Sequence, residues 1–146
     1  MPRRSLLLRQ TLIGRPGGPP LVSFSFAEGR FFDLWMGVHF LSGVAGGFSN
    51  TFFGLSAPQV FALGFLMMLG WEIGEHAQRV RESLANRALD VVVGVAGTAL
   101  ALVLSRGLSP GWVRVAFALT LLAALGGAAL GARARRRRMT AAERGA

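Results

Sequence analysis

The feature that most constrains this chain is a series of four long apolar segments separated by short connections. The segments cover about residues 31–55, 58–78, 88–104 and 112–132. Each approaches the roughly 20 residues that a helix needs to cross a hydrocarbon core of about 30 Å. Because a backbone in lipid must satisfy its own hydrogen bonds, the segments are predicted to be helices. The sequence therefore predicts an all-α, polytopic membrane protein.

The composition supports lipid as the solvent of the apolar surface. Of the 146 residues, 52% are hydrophobic and only 16% are charged, which is more apolar than is usual for a soluble domain. The chain has no cysteine, so disulfide bonds and thiolate metal ligands are excluded. Short connections make neighbouring helices antiparallel. We therefore expect an antiparallel bundle of four transmembrane helices over residues 31–132.

The arginine residues predict the orientation of this bundle. The net charge is +9, and the chain has no lysine. With a cytoplasmic N-terminus, only Arg106 and Arg114 fall on the outer side, so the positive-inside rule predicts that both termini are cytoplasmic. Residues 1–30 are expected to form a basic amphipathic segment on the membrane surface. Residues 133–146 are expected to form an Arg-rich cytoplasmic tail that contacts anionic headgroups, without any nucleic acid partner.

Rare polar side chains are predicted to gather in the cytoplasmic half of the bundle. Ionisable groups in membrane segments are costly, so they are candidates for functional sites. The alternating directions of the helices bring the polar residues of the first three segments to similar depths. The candidate site residues are His39, Glu72, Glu75, His76, Gln78, Arg79, Asn86 and Asp90.

Small residues on the same helical faces predict close helix packing. The predicted packing positions are Gly43, Gly46, Gly94, Gly97, Gly127 and Gly131. The faces that carry His39 and Asp90 are expected to point into the bundle, toward the second helix. The stripe that begins at Ala123 and includes the last two of these glycines has two alternatives: packing inside the bundle or against another subunit.

The polar cluster is compatible with four kinds of chemistry. One is a hydrogen-bonded packing cluster, in which Glu75 pairs with Arg79 and Asp90 pairs with an arginine or with His39. Another is a lipid-headgroup pocket in which an arginine of residues 79–87 meets a phosphate. A third is a pathway for protons or a substrate.

The fourth alternative is a divalent metal site, although no cofactor is predicted. Imidazole and carboxylate groups are ligands for zinc, manganese and iron, and facing helices of a bundle can supply them. The residues of the right type are His39, Glu72, Glu75, His76 and Asp90.

Several of these residues also form a family pattern over about half of the chain. The elements are Glu75-x-x-Gln78, Asp90, Gly97 and, in the first segment, His39-Phe40. This pattern resembles the core motif of VanZ-like membrane proteins, although Gly94 and Leu84 stand where that family usually has Asn and Arg. Trp71-Glu72-x-x-Glu75 is similar to a motif of small bacterial inner-membrane proteins of the YjdF type.

The resemblance implies a compact helical bundle in the bacterial inner membrane, with a role in the cell envelope. Because the inward cluster of carboxylates and histidine lies beside the arginines of residues 79–87, we expect a multi-pass, non-enzymatic protein that binds a lipid or lipid-linked headgroup at this cluster. Two alternatives stay open. One is a small accessory subunit of a larger membrane complex or a homo-oligomer, and the other is a metal-dependent membrane enzyme.

Overall fold

The structure, a computed structural model, describes residues 23, 26, 32–77 and 83–144. The side chains of His76 and of residues 142–144 lie outside this description. The prediction of an all-α fold is confirmed for the described residues. The helices are α1 (Leu34–Phe48), α2 (Asn50–Phe53), α3 (Ala57–Ala77), α4 (Leu84–Ser105) and α5 (Pro110–Arg144).

Three of the helices are long and apolar enough to cross a membrane. The spans are Ala57–Glu75 in α3, Leu84–Ser105 in α4 and Pro110–Ala141 in α5. Helix α1 has only 15 residues, which corresponds to about 22 Å. It is therefore shorter than the roughly 30 Å core of a bilayer.

The structure corrects the prediction of a single helix over residues 31–55. The helix breaks at Ser49, and the one-turn α2 that follows ends at Gly54. Gly54 has a φ of 63°, in the left-handed region that glycine enters without steric cost. The chain therefore turns toward α3 before the first segment ends.

Polar side chains set the starts of two helices. The Asp33 carboxylate accepts hydrogen bonds from the Trp35 and Met36 amides, at 2.9 and 3.4 Å, and so caps α1. The Ser83 hydroxyl accepts a hydrogen bond from the Asn86 amide at 3.1 Å and caps α4. Because of this cap, α4 begins at Leu84, not near residue 88 as the apolar pattern suggested.

Helix α1 is the centre of the fold and packs most closely against α4. A methyl group added to Gly43 would overlap the Gly94 carbonyl, and one added to Gly97 would overlap the Phe40 carbonyl. The Thr98 hydroxyl donates a hydrogen bond to the Gly43 carbonyl at 3.1 Å. Contact between the two backbones therefore leaves no room for larger side chains at these positions.

The packing position predicted at Gly46 is corrected to Gly47. A methyl group on Gly46 would meet nothing within 4 Å, whereas one on Gly47 would lie 2.6 Å from the Thr98 carbonyl oxygen and from Ala101. Gly43 and Gly47 are four residues apart and share one helical face. They therefore form the small-xxx-small pattern that allows helices to approach closely.

Helix α5 covers another face of α1 through two of the predicted glycines. A methyl group on Gly127 would lie 2.8 Å from Val38, and one on Gly131 would lie 2.5 Å from the Trp35 ring. These glycines therefore pack inside the bundle, whereas Ala123 is exposed. Of the two alternatives for this stripe, internal packing holds for both glycines.

We expect Gly43→Ala to destabilise the protein by about 1–3 kcal/mol, which is the usual cost of overpacking a tight interior. The added methyl group must displace the backbone of α4. The free energy of unfolding in detergent micelles, followed by circular dichroism, measures this effect. Gly46→Ala is the matched control and should change stability little. Equal effects of the two substitutions would contradict this account of the α1–α4 contact.

Candidate functional site

Three of the predicted site residues meet in one buried cluster. His39 lies on α1, Glu72 on α3 and Asp90 on α4, with exposed fractions of 3%, 6% and 1%. One ligand-type atom from each residue lies within 4.8 Å of the others. Two buried carboxyl groups are costly unless a proton or a cation compensates them. We call this set the buried triad.

The ring of His39 is held in one orientation. Its Nδ1 lies 3.0 Å from the Trp35 carbonyl oxygen, one helical turn earlier. A carbonyl oxygen only accepts hydrogen bonds, so Nδ1 carries a hydrogen and donates it. The other ring nitrogen, Nε2, lies 3.4 Å from Oε1 of Glu72. The ring of Trp71 packs edge-to-face against the imidazole, with 5.8 Å between centroids.

Asp90 is held from two sides. The side-chain amide of Asn86 donates a hydrogen bond to Oδ2 of Asp90 at 3.3 Å, from one turn earlier on α4. Oδ1 of Asp90 lies 3.9 Å from Nδ1 of His39. Asn86 is itself fully buried. It therefore acts as a neighbour that orients the carboxyl group within the triad.

Glu75, which the sequence analysis placed in the same set, is not a member of the triad, although its charge acts on His39 and Glu72. It forms an ion pair with Arg135 of α5, with 3.1 Å between Oε1 and Nη2. The Arg135 guanidinium also lies 5.4 Å from the centre of the Trp35 ring, which is a cation–π distance. The sequence analysis did not predict this partner, because it assigned the arginines after residue 132 to a tail that lies outside the helices. Helix α5 continues through them without interruption.

Other predicted contacts cannot be compared with the structure. Gln78, Arg79 and Arg81 lie outside the described residues, as does the side chain of His76. The pairing of Glu75 with Arg79 and the headgroup contacts of the connecting loop therefore stay predictions.

Two adjoining cavities lie between α3 and α5, which make few direct contacts with each other. The first has a volume of about 420 Å³ and is mostly apolar, with His39 and Ser42 from α1 in its lining. The second has a volume of about 670 Å³ and is lined partly by Glu75, Arg135 and Arg136. Both are lined by Trp71 and Ala128. We call the two together the interhelical groove.

The groove is open along the outer surface of the bundle. Met67 and Leu125 line the first cavity, yet they are 62% and 59% exposed. The lining of the groove also changes along its length, from an apolar surface beside His39 to a cationic surface near Arg136. Cavities of this size are typical of small-molecule sites in proteins.

Comparison with family models, curated proteins and solved structures finds no significant match. The resemblance to VanZ-like proteins therefore stays a prediction that depends on the motif residues. Gly94, a departure from that motif, has a structural reason in this chain. A methyl group there would lie 2.4 Å from the Met68 sulfur, and its carbonyl already contacts Gly43.

We expect a double-mutant cycle between Glu75 and Arg135 to give a coupling energy of roughly 0.5–3 kcal/mol, the range for residues in direct contact. Each single substitution to Gln leaves a partly buried charge without its partner. The measurement is the free energy of unfolding of the wild type, E75Q, R135Q and the double variant in micelles.

The matched control is the same cycle with Arg136, which lines the same cavity without an observed ion pair to Glu75. Its coupling energy should be near zero. Similar coupling energies in the two cycles would show that the observed ion pair is not specific.

Proposed function

We propose that this chain is a multi-pass protein of the bacterial inner membrane that binds a lipid or lipid-linked molecule in the interhelical groove. The observation that carries the proposal is the change along the groove from an apolar surface to a cationic one. A lipid has the matching distribution, with acyl chains at one end and an anionic headgroup at the other. The proposal contains no catalytic step.

The acyl chains fit the part of the groove beside α1. Its walls carry side chains such as Met68, Trp71 and Leu121, and methionine adapts its shape readily to flexible apolar ligands. Met67 and Leu125 at its rim are exposed. An acyl chain in this position would cover apolar surface of α3 and α5, which otherwise pack little against each other.

The headgroup fits the end of the groove that carries Arg135 and Arg136. The sequence analysis had instead predicted that the headgroup binds at the polar cluster that includes His39. Two carboxyl groups in the buried triad make that position unfavourable for an anion, because like charges repel strongly where water is absent. Arginine forms charge-assisted hydrogen bonds with phosphate. The proposal therefore assigns the headgroup to the arginines of α5.

Charge distribution supports a cytoplasmic location for this end of the bundle and for both termini. The run from Arg133 to Arg138 lies at the same end as Glu75, whereas Arg106 and Arg114 lie at the opposite end. The positive-inside rule favours that orientation. A four-span bundle, with α1 as a short span, is supported by the burial of α1 against α3, α4 and α5.

Membership of the VanZ-like group is part of this proposal. The closeness of His39 and Asp90, two residues of the motif, supports it. The alternative role as an accessory subunit loses one of the observations that favoured it, because Gly127 and Gly131 pack against Val38 and Trp35 of the same chain.

We expect Arg136→Gln to lower the amount of anionic phospholipid that the protein retains by several-fold. The reason is the loss of a charge-assisted contact with the headgroup. Native mass spectrometry of protein extracted gently from its own membrane measures the retained lipid. Arg114→Gln removes the same charge from the opposite end of α5 and should change nothing. A wild type that retains no lipid, or equal losses in both variants, would refute the proposal.

We also expect Ala128→Phe to reduce lipid retention, because Ala128 lines both cavities and a phenyl ring would obstruct the groove between them. Ala123→Phe is the control, since Ala123 is exposed on the same helix and lines neither cavity. The same mass measurement applies. Retention that is unaffected by Ala128→Phe would place any bound lipid elsewhere on the protein.

A further inference from the structure

The buried triad contains polar atoms whose surroundings lack a matching donor. Both carboxylate oxygens of Glu72 and Nε2 of His39 have no hydrogen-bond partner among the described residues. The two residues are only 6% and 3% exposed. A buried carboxylate without a donor or a cation costs several kcal/mol, as a rough estimate. The charge of Arg87 on α4 acts on Glu72, but neither carboxylate oxygen of Glu72 accepts a hydrogen bond from the described residues.

The orientation of His39 indicates what would compensate Glu72. Because Nδ1 donates its hydrogen to the Trp35 carbonyl, the neutral imidazole has its lone pair on Nε2. That lone pair faces Oε1 of Glu72 at 3.4 Å. Two electron-pair donors thus face each other in a buried site, which is the arrangement of neighbouring ligands around a cation.

We propose that His39, Glu72 and Asp90 bind one divalent transition-metal ion, of the class of Zn²⁺, Mn²⁺ or Fe²⁺. These ions prefer imidazole and carboxylate ligands. The charge of the ion would compensate the buried Glu72 carboxylate, which accepts no hydrogen bond from the described residues. The inference concerns the triad alone and does not depend on lipid binding in the groove.

The geometry suits such an ion. With metal–ligand bonds of about 2.0–2.2 Å, two ligand atoms on one ion can be at most about 4.4 Å apart. The 3.4 Å between Nε2 of His39 and Glu72 already satisfies this limit. The triad residues offer ligand atoms within 4.8 Å of one another. Oδ1 of Asp90 lies 3.9 Å from Nδ1 of His39, so the Asp90 side chain must rotate toward Nε2 to complete the set.

The surroundings of the triad are those of a metal site. Histidine ligands usually donate their second N–H to a carbonyl or carboxylate group, and ligating carboxylates accept further hydrogen bonds. The Trp35 carbonyl and the Asn86 amide occupy these two roles here. Three protein ligands leave a coordination position open, and the apolar cavity lined by His39 adjoins the triad.

A single proton shared between Nε2 and Glu72 is the competing explanation, because it would satisfy the same two atoms. The test must therefore distinguish an ion from a proton. Full-length protein in lipid nanodiscs is stripped with a chelator and titrated with Zn²⁺ and, separately, with Mn²⁺. We expect one ion per chain for at least one of the two metals.

Glu72→Gln should weaken the binding of that metal by more than about 100-fold, since even changes outside the ligand set cost about 10–100-fold. Glu75→Gln is the comparison on the same helix: the charge of Glu75 acts on His39 and Glu72, but Glu75 does not face Nε2 of His39, so this substitution should weaken the affinity far less than Glu72→Gln. Absence of binding to the wild type would overturn the proposal in favour of the shared proton. Unchanged affinity in Glu72→Gln would show that the ion binds elsewhere, which also overturns it.

A second measurement needs no change in the triad and therefore does not depend on whether Glu72→Gln folds. Pulsed electron paramagnetic resonance of bound Mn²⁺ or of Cu²⁺, used as a probe, detects an imidazole nitrogen near the ion. The chain has two histidines, His39 and His76. We expect the nitrogen signal in the wild type and in His76→Gln. Its absence from the wild type, or its loss in His76→Gln, would overturn the proposal.

Discussion

The close contact between the α1 and α4 backbones determines where the buried triad forms. Gly43 contacts Gly94, and His39 and Asp90 lie four residues earlier, about one helical turn, on their respective helices. Because α1 and α4 run in the same direction, a contact of backbones at one level brings the side chains of the preceding turn together. The Met68 side chain of α3 closes on Gly94 from the third side, and the next turn of α3 carries Glu72. One glycine contact thus aligns three polar side chains.

This arrangement explains how a membrane protein holds polar groups away from lipid. The triad lies where α1, α3 and α4 meet, whereas the interhelical groove lies between α3 and α5, and His39 borders both. The arginine that faces Glu75 comes from a different helix and a different level. The protein therefore separates the buried, acidic triad from the more accessible, cationic end of the groove.

Much of this organisation could be predicted from the sequence. Apolar length gave the helices, and depth along them grouped His39, Glu72 and Asp90. What could not be predicted depends on local capping and on rotation about helix axes. The Ser83 cap extends α4, and the break at Ser49 shortens α1. The choice of Gly47 over Gly46 needs the crossing geometry of two helices, and the pairing of Glu75 with Arg135 needs α5 to continue beyond the apolar segment.

The length of α5 has a mechanical consequence. Its 35 residues correspond to about 52 Å, well beyond a hydrocarbon core of about 30 Å. The helix that lines the groove at Leu121 is therefore also the helix that carries Arg135 and Arg136, without an interruption between them. A rigid-body tilt of α5 that widened the groove at Leu121 would also displace Arg136, so the width of the groove and the position of the arginines are geometrically coupled.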